Sequence, residues 1–322
     1  MTRFLRLLVV GAAFAACGGA AAEQPIAFAS LPQGTVNFFQ STAIAKVVQE
    51  RASMRARVAP MRGTSLAIAA VGAGEAEFQL GSVVEAVEAL RGQHSFAGRA
   101  QPKLRVAFNN RPLALGIFVR KDSGITRLQQ LKGKRMPTGW KANPNSAVIL
   151  EAMLKTVGLG LADMQPVPVP EILRAAADFA EGKSDATYLA MDAPKVVELN
   201  AAVGGIRFLS LPNDAPALAA VRSVRPELFI TTVKPSPRLV GLEDAINVLA
   251  FDLVVTTSTH VPDAVVYNIV KAAHEGRENL IKAHPSFNEF HPEKMAKQFA
   301  SIEYHPGAIK FYKEAGIWPA KN

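Results

Sequence analysis

The chain has 322 residues, 49% of them hydrophobic and 20% charged, with a formal net charge of +9. This composition excludes disorder and fibres, and the length suits two domains better than one. The single cysteine, Cys17, excludes an intrachain disulfide and a cysteine-rich zinc or iron–sulfur site.

The N-terminus reads as a secretory leader. Arg3 and Arg6 form a basic start, Leu7 to Ala16 an apolar run, and Ala20-Ala21-Ala22 a small-residue cleavage site before Glu23. The expectation is a signal peptide over residues 1–22 and a soluble, periplasmic mature chain. Cleavage removes two arginines and leaves a net charge of +7. Phe14-Ala15-Ala16-Cys17-Gly18 also fits a lipoprotein box, with Phe where Leu is usual, so lipid anchoring at Cys17 stays open beside cleavage. The longest later apolar run, Ala245 to Val255, carries Asn247 and Asp252 and is no membrane span. The positive charge is scattered, and no basic and aromatic residues interleave, which argues against nucleic acid as a partner.

The elements then repeat one pattern. Ile26 to Leu31 is a predicted strand, followed by the loop Pro32-Gln33-Gly34-Thr35 and a helix over Asn37 to Ala52. Arg57 to Pro60 is a second strand, with Gly63-Thr64-Ser65 before a helix over Leu66 to Val71. Phe78 to Leu80 is a third, with Gly81-Ser82 before a helix over Val83 to Leu90. Three strand–loop–helix units predict a parallel α/β sheet whose ligand loops gather at the carboxyl ends of the strands.

A second set begins with the strand Leu113 to Arg120 and Asp122-Ser123-Gly124-Ile125. A short capped helix through Leu128 and Leu131 leads to a strand at Arg135 to Pro137. The loop Gly139 to Ser146 then enters a helix over Ala147 to Val157, and a later strand covers Ala186 to Leu189.

The ordered set Asp122-Ser123-Gly124-Ile125, Leu128-x-x-Leu131-Lys132-Gly133-Lys134 and Gly182-x-x-Asp185-Ala186 resembles a two-lobed periplasmic solute-binding protein. The terminal stretch His305-Pro306-Gly307-Ala308-Ile309-Lys310-Phe311-Tyr312-Lys313-Glu314-Ala315-Gly316 resembles the TAXI family, the extracytoplasmic receptors of a class of TRAP transporters. Val265-Val266-Tyr267 and the spacing from Gly182 to Pro194 are similar to that family too. The resemblance implies two Rossmann-like lobes joined by hinge strands, of the type II periplasmic binding protein kind. Residues 23–112 and 249–322 would form lobe 1, and residues 113–248 lobe 2. It also implies a monomeric receptor that captures a small organic anion or amino acid by hinge closure, and membrane permease subunits as partners. The chain departs from the family at the ligand loops. Phe38 and Phe39 stand where tyrosines are common, Asn143-Pro144-Asn145-Ser146 replaces a Gly-Ser-Gly-Thr turn, and Met191-Asp192-Ala193 precedes Pro194.

Candidate ligand residues follow from the physics of such a cleft. Gly34, Thr35, Asn37, Gly63, Thr64, Ser65, Ser82, Asn143, Asn145 and Ser146 lie at predicted helix starts, where free N–H groups suit a carboxylate. Simple helix capping remains the alternative for each. Arg62 and Arg111 are the guanidinium candidates for that anion, against a reading as surface charges. Phe38, Trp140, Tyr188 and Met191, with Asp192, would wall the cleft, or belong to the core.

No catalytic set is expected, nor any cofactor or metal. His284 and His291, with Glu289 between them, fit no metal-binding spacing and read as surface or capping residues. Gly158-Leu159-Gly160 lacks the third glycine of a dinucleotide fingerprint, and there is no Gly-x-Ser-x-Gly elbow. An enzyme on the same fold, or a receptor serving a sensor, are the rival functions.

Overall fold

The computed structural model describes residues 25–320. The expected leader and Cys17 lie outside them. Three strand–helix units open the chain: β1 (Ile26–Ser30) and α1 (Val36–Ala52), β2 (Ala56–Pro60) and α2 (Thr64–Ala73), β3 (Phe78–Ser82) and α3 (Val83–Arg91). β1 pairs in parallel with both β2 and β3, as the strand–loop–helix pattern predicts. Phe28 and Phe78 stack between them at 5.2 Å and are fully buried.

β4 (Leu104–Arg120) is far longer than the predicted strand. It pairs antiparallel with β10 (Ile246–Ser258) from Leu104 to Leu115. These two strands belong to both lobes. The far end of β10, Leu253 to Thr256, pairs with β3, and its near end, Ile246 to Ala250, pairs with β9 (Phe229–Val233). The far end of β4 pairs with β7 (Ala186–Ala190) and β8 (Ile206–Phe208). The register between β4 and β10 slips at Leu253/Val254 and again at Val255/Thr256. The first slip leaves Asn110 without a cross-strand partner, two residues before Pro112, which lacks an N–H. Bulges of this kind bend a strand and increase its twist, so one continuous sheet serves two lobes at an angle.

The second lobe is completed by a parallel pair, β5 (Arg135–Gly139) and β6 (Gln165–Val169). Its helices are α4 (Asn145–Lys155), α5 (Ile172–Ala180), α6 (Pro194–Ala202) and α7 (Ala215–Val224). The capped helix predicted through Leu128 is instead two 3₁₀ turns, Lys121–Ser123 and Leu128–Leu131. Gly124, at φ 72°, breaks the run between them. α8 (Asp263–Glu275), α9 (Arg277–Ala283) and α10 (Pro306–Glu314) return to the first lobe. The Tyr312 hydroxyl donates to the Ala107 carbonyl at 2.6 Å, fixing α10 on β4. The fold is α/β, two lobes on a curled mixed sheet joined by the crossing strands. Among the described residues no helix is long and apolar enough to cross a membrane.

Candidate functional site

The carboxyl ends of six strands face one another between the lobes. From the first lobe come the segments after β1, β2 and β3. From the second come those after β5, β6 and β7. They enclose a cavity of about 90 Å³ open to the centre of a water molecule, enough for several waters or a small organic molecule. Leu113, Leu115, Phe251 and Leu253 of the crossing strands supply apolar lining. This is where open α/β sheets bind ligands.

Nine predicted residues line the cavity: Gly34, Thr35, Asn37, Thr64, Ser82, Asn143, Asn145, Ser146 and Tyr188. Several have internal duties. The Thr35 hydroxyl accepts from Phe38 N–H at 3.3 Å, and the Ser82 hydroxyl accepts from Val84 N–H at 3.1 Å, so both cap their helices. Asn37 Nδ2 donates to the Leu80 carbonyl at 3.2 Å, tying α1 to β3. The Tyr188 hydroxyl donates to the Ser146 carbonyl at 3.2 Å, and burial raises its pKa.

Thr64 and Asn145 are different, because neither is a cap. α2 is capped by Gly63 and α4 by Pro144, and neither cap has a side-chain hydrogen bond. Thr64 and Asn145 are thus the first helical residues, and Ser65 and Ser146 the second. Asn145 is buried, yet neither its Oδ1 nor its Nδ2 has a partner; Asn143 Nδ2 has none either. Buried amides without partners are costly and uncommon in folded proteins.

The remaining candidates stand elsewhere. Arg62 is exposed and does not face the cavity. Gly63 is buried where the lobes touch: a Cβ placed on it would lie 1.8 Å from the Ala142 carbonyl oxygen. Ser65 and Phe38 lie beside the cavity without lining it, and the Phe38 ring packs edge-on against Phe39 at 5.6 Å. Trp140 is fully buried with φ at 37°, a strained value for a bulky residue, and its ring backs that of Tyr188 at 6.2 Å. Met191 is buried in the core.

Arg111 is buried but does not reach the cavity. Its Nη2 pairs with Asp192 at 2.6 Å and its Nη1 with Glu289 at 3.2 Å. Arg111 stands at the bulge of β4, Asp192 follows β7, and Glu289 lies in the 3₁₀ turn after α9. The guanidinium therefore ties the lobes to each other. A second such tie joins Arg225, beyond α7, to Glu88 of α3 at 2.8 Å. Of the two histidines set aside above, His284 accepts from Ser286 N–H as a cap, and His291 sits 3.3 Å from Glu293.

Sequence reasoning missed Glu85 and the apolar lining. Glu85 lies in Val83-Val84-Glu85-Ala86-Val87-Glu88-Ala89-Leu90, where a glutamate reads as a solvated charge. It is 6% exposed and lines the cavity. Burial first, then the neighbouring charge of Glu88, pushes its carboxyl up to about 8, against an opposing hydrogen bond with Thr64.

Comparison with known proteins fits this architecture. The profile of the NMT1-like family matches residues 28–316. Among solved structures, PhnD1 from Prochlorococcus marinus, in complex with methylphosphonate, superposes with a TM-score of 0.58 at 10% identity, covering 91% of this chain and 98% of that one. A structure described as a periplasmic transporter gives 0.59 at 15% identity, covering 92% and 94%. A TctC solute-binding protein from Polaromonas gives 0.50 at 14% identity, covering 83% and 90%. At these identities the likeness is one of fold.

Proposed function

The chain belongs to the NMT1-like family, and we propose that it is an extracytoplasmic receptor that captures a small solute between its lobes and presents it to a transporter. The observation that carries this reading is the cavity itself. Helix starts from both lobes converge on it, and the buried amide of Asn145 is left without a partner. Two structural neighbours, PhnD1 in complex with methylphosphonate and a TctC solute-binding protein, support the same reading. The resemblance of the C-terminal stretch to TAXI receptors favours a TRAP-type permease as the partner, with the receptor exported as a monomer by its leader.

The mechanism is closure. A solute touching both lobes favours the state in which they meet, in proportion to its differential affinity for that state. The hinge of this reading is the slipped register around Asn110–Pro112 and Leu253–Val254, where a bulge lets the crossing strands bend. Helix starts, rather than arginines, receive the anionic part of the solute, because Arg111 is engaged in ion pairs and Arg62 lies outside the cavity. No bond is broken, and no nucleophile is needed.

The test is a thermal-shift panel of organic acids, amino acids, phosphonates and sulfonates, with mass spectrometry of the recovered solute. A true ligand at a hundred times its Kd stabilises by about 2.7 kcal/mol and returns unchanged. A chemically altered solute, or no stabilisation by any member, overturns the proposal.

A further inference from the structure

Among the described residues, Glu85 is the only acidic side chain lining the cavity. It stands in the first turn of α3, and no ion pair to it forms among the described residues. Lys195 is the only basic residue among the described ones that lines the same space, and its Nζ donates to Glu198 at 2.8 Å. Arg225 is committed to Glu88 at 2.8 Å. Tyr188 spends its hydroxyl proton on the Ser146 carbonyl. Thr64 offers one hydrogen bond. Glu88, three residues along the same helix, adds a like charge.

A plain anion meets in Glu85 at most one hydrogen-bond donor, the neutral acid. Helix starts supply positive potential, and an ionised Glu85 would cancel it. A solute carrying both charges uses both features: the carboxylate meets the positive ends of α2 and α4 and the Asn145 amide, and the ammonium meets Glu85. The rest of the lining, including Leu113, Leu115, Ile149 and Leu253, suits an aliphatic body.

Building on the solute-capture reading, we propose that the ligand is a small aliphatic amino acid whose ammonium pairs with the Glu85 carboxylate and whose carboxylate is held by Asn145 and the first turns of α2 and α4. Binding then has a proton balance. The free receptor holds Glu85 as a neutral acid at pH 7, the ammonium enters with its charge, and the carboxyl proton leaves to solvent. Tyr188 keeps its proton, because burial raises its pKa, and Arg225 remains at Glu88.

Titration calorimetry in two buffers of different ionisation enthalpy tests this. The probes are L-alanine, L-valine and L-leucine, against pyruvate, 3-methyl-2-oxobutanoate and 4-methyl-2-oxopentanoate. At least one amino acid binds with release of close to one proton. Its affinity rises about tenfold per pH unit up to about pH 8, where Glu85 is already ionised, and then levels. The matching 2-oxo acid binds at least about tenfold more weakly. Glu85→Gln, nearly isosteric with the neutral acid, loses at least about tenfold in amino-acid affinity and the proton release, with its unfolding temperature kept. Equal affinity for the 2-oxo acid, or unchanged amino-acid affinity in Glu85→Gln, overturns the ammonium pairing and leaves solute capture standing. Binding by none of the six overturns the amino-acid assignment, while the wider panel decides solute capture separately.

Discussion

Arg111 and Asp192 approach to 2.6 Å across the junction of the two lobes, with Arg111 only 2% exposed and Asp192 26% exposed. A guanidinium so deeply desolvated cannot lose its carboxylate cheaply, because the charge left behind has no water to turn to. Asp192→Asn keeps the shape and leaves Arg111 with Glu289 alone. The closed state weakens and the open one gains, so ligand affinity falls by about tenfold or more in calorimetry. Unchanged affinity would mean that the pair is not a tie for closure.

Gly63 makes closure a steric matter as well. A methyl group there would meet the Ala142 carbonyl oxygen at 1.8 Å, and that oxygen is backbone. Gly63→Ala should fold, hold its lobes apart, and bind solute at least about tenfold more weakly. Small-angle scattering with saturating ligand reads the outcome: a radius of gyration as small as that of the liganded parent would refute it.

Asn145 sets function against stability. Its amide is buried, and neither polar atom has a partner among the described residues. Asn145→Ala removes that unsatisfied group, so the free protein gains about 1 kcal/mol while the ligand-induced thermal shift disappears. Loss of stability with the shift retained would count against the site.

Glu88 is 5% exposed and depends on Arg225 at 2.8 Å. Arg225→Met strands that carboxylate next to Glu85 and costs about 3 kcal/mol in denaturant unfolding. A change below about 0.5 kcal/mol would show that the pair contributes little to holding α7 against α3.

Asp185 gives a pH dependence of known sign. Hydrogen bonds from Arg135 hold its carboxyl below the usual value of 3.8. A carboxyl depressed in the folded state binds fewer protons there than when unfolded. Its stabilisation is therefore full above about pH 4 and fades as the pH drops through the lowered value. Asp185→Asn should unfold at a lower temperature than the parent at pH 6, and the gap should narrow below pH 4. A gap that widens in acid would contradict the assignment.

Much of the architecture is legible along the chain. Gly34-Thr35, Gly63-Thr64 and Gly81-Ser82 each mark the passage from strand to helix, and β1, β2 and β3 pair as that repetition predicts. The crossing strands are less legible. Leu104 to Asn109 lies outside the predicted strand because local pattern does not reveal that β10, more than a hundred residues away, will cover it. The gathering of Thr64, Asn145 and Ser146 follows from helix starts alone, although two-residue errors at the boundaries made residues inside the helices look like caps.

The sequence by itself determined the alternation of strand and helix, the glycine turns and hence the rim on which a site would form, because these depend on local dihedral preference and short-range hydrogen bonding. Only the tertiary structure decided the fate of the charges. Arg111, a candidate for the ligand or for a surface charge, becomes a tie between lobes, and Glu85, which sequence reasoning passed over, is a buried acid in the cavity. A charge is assigned its role by the distance to its partners and by the water it loses, and both are set by residues far away in the chain.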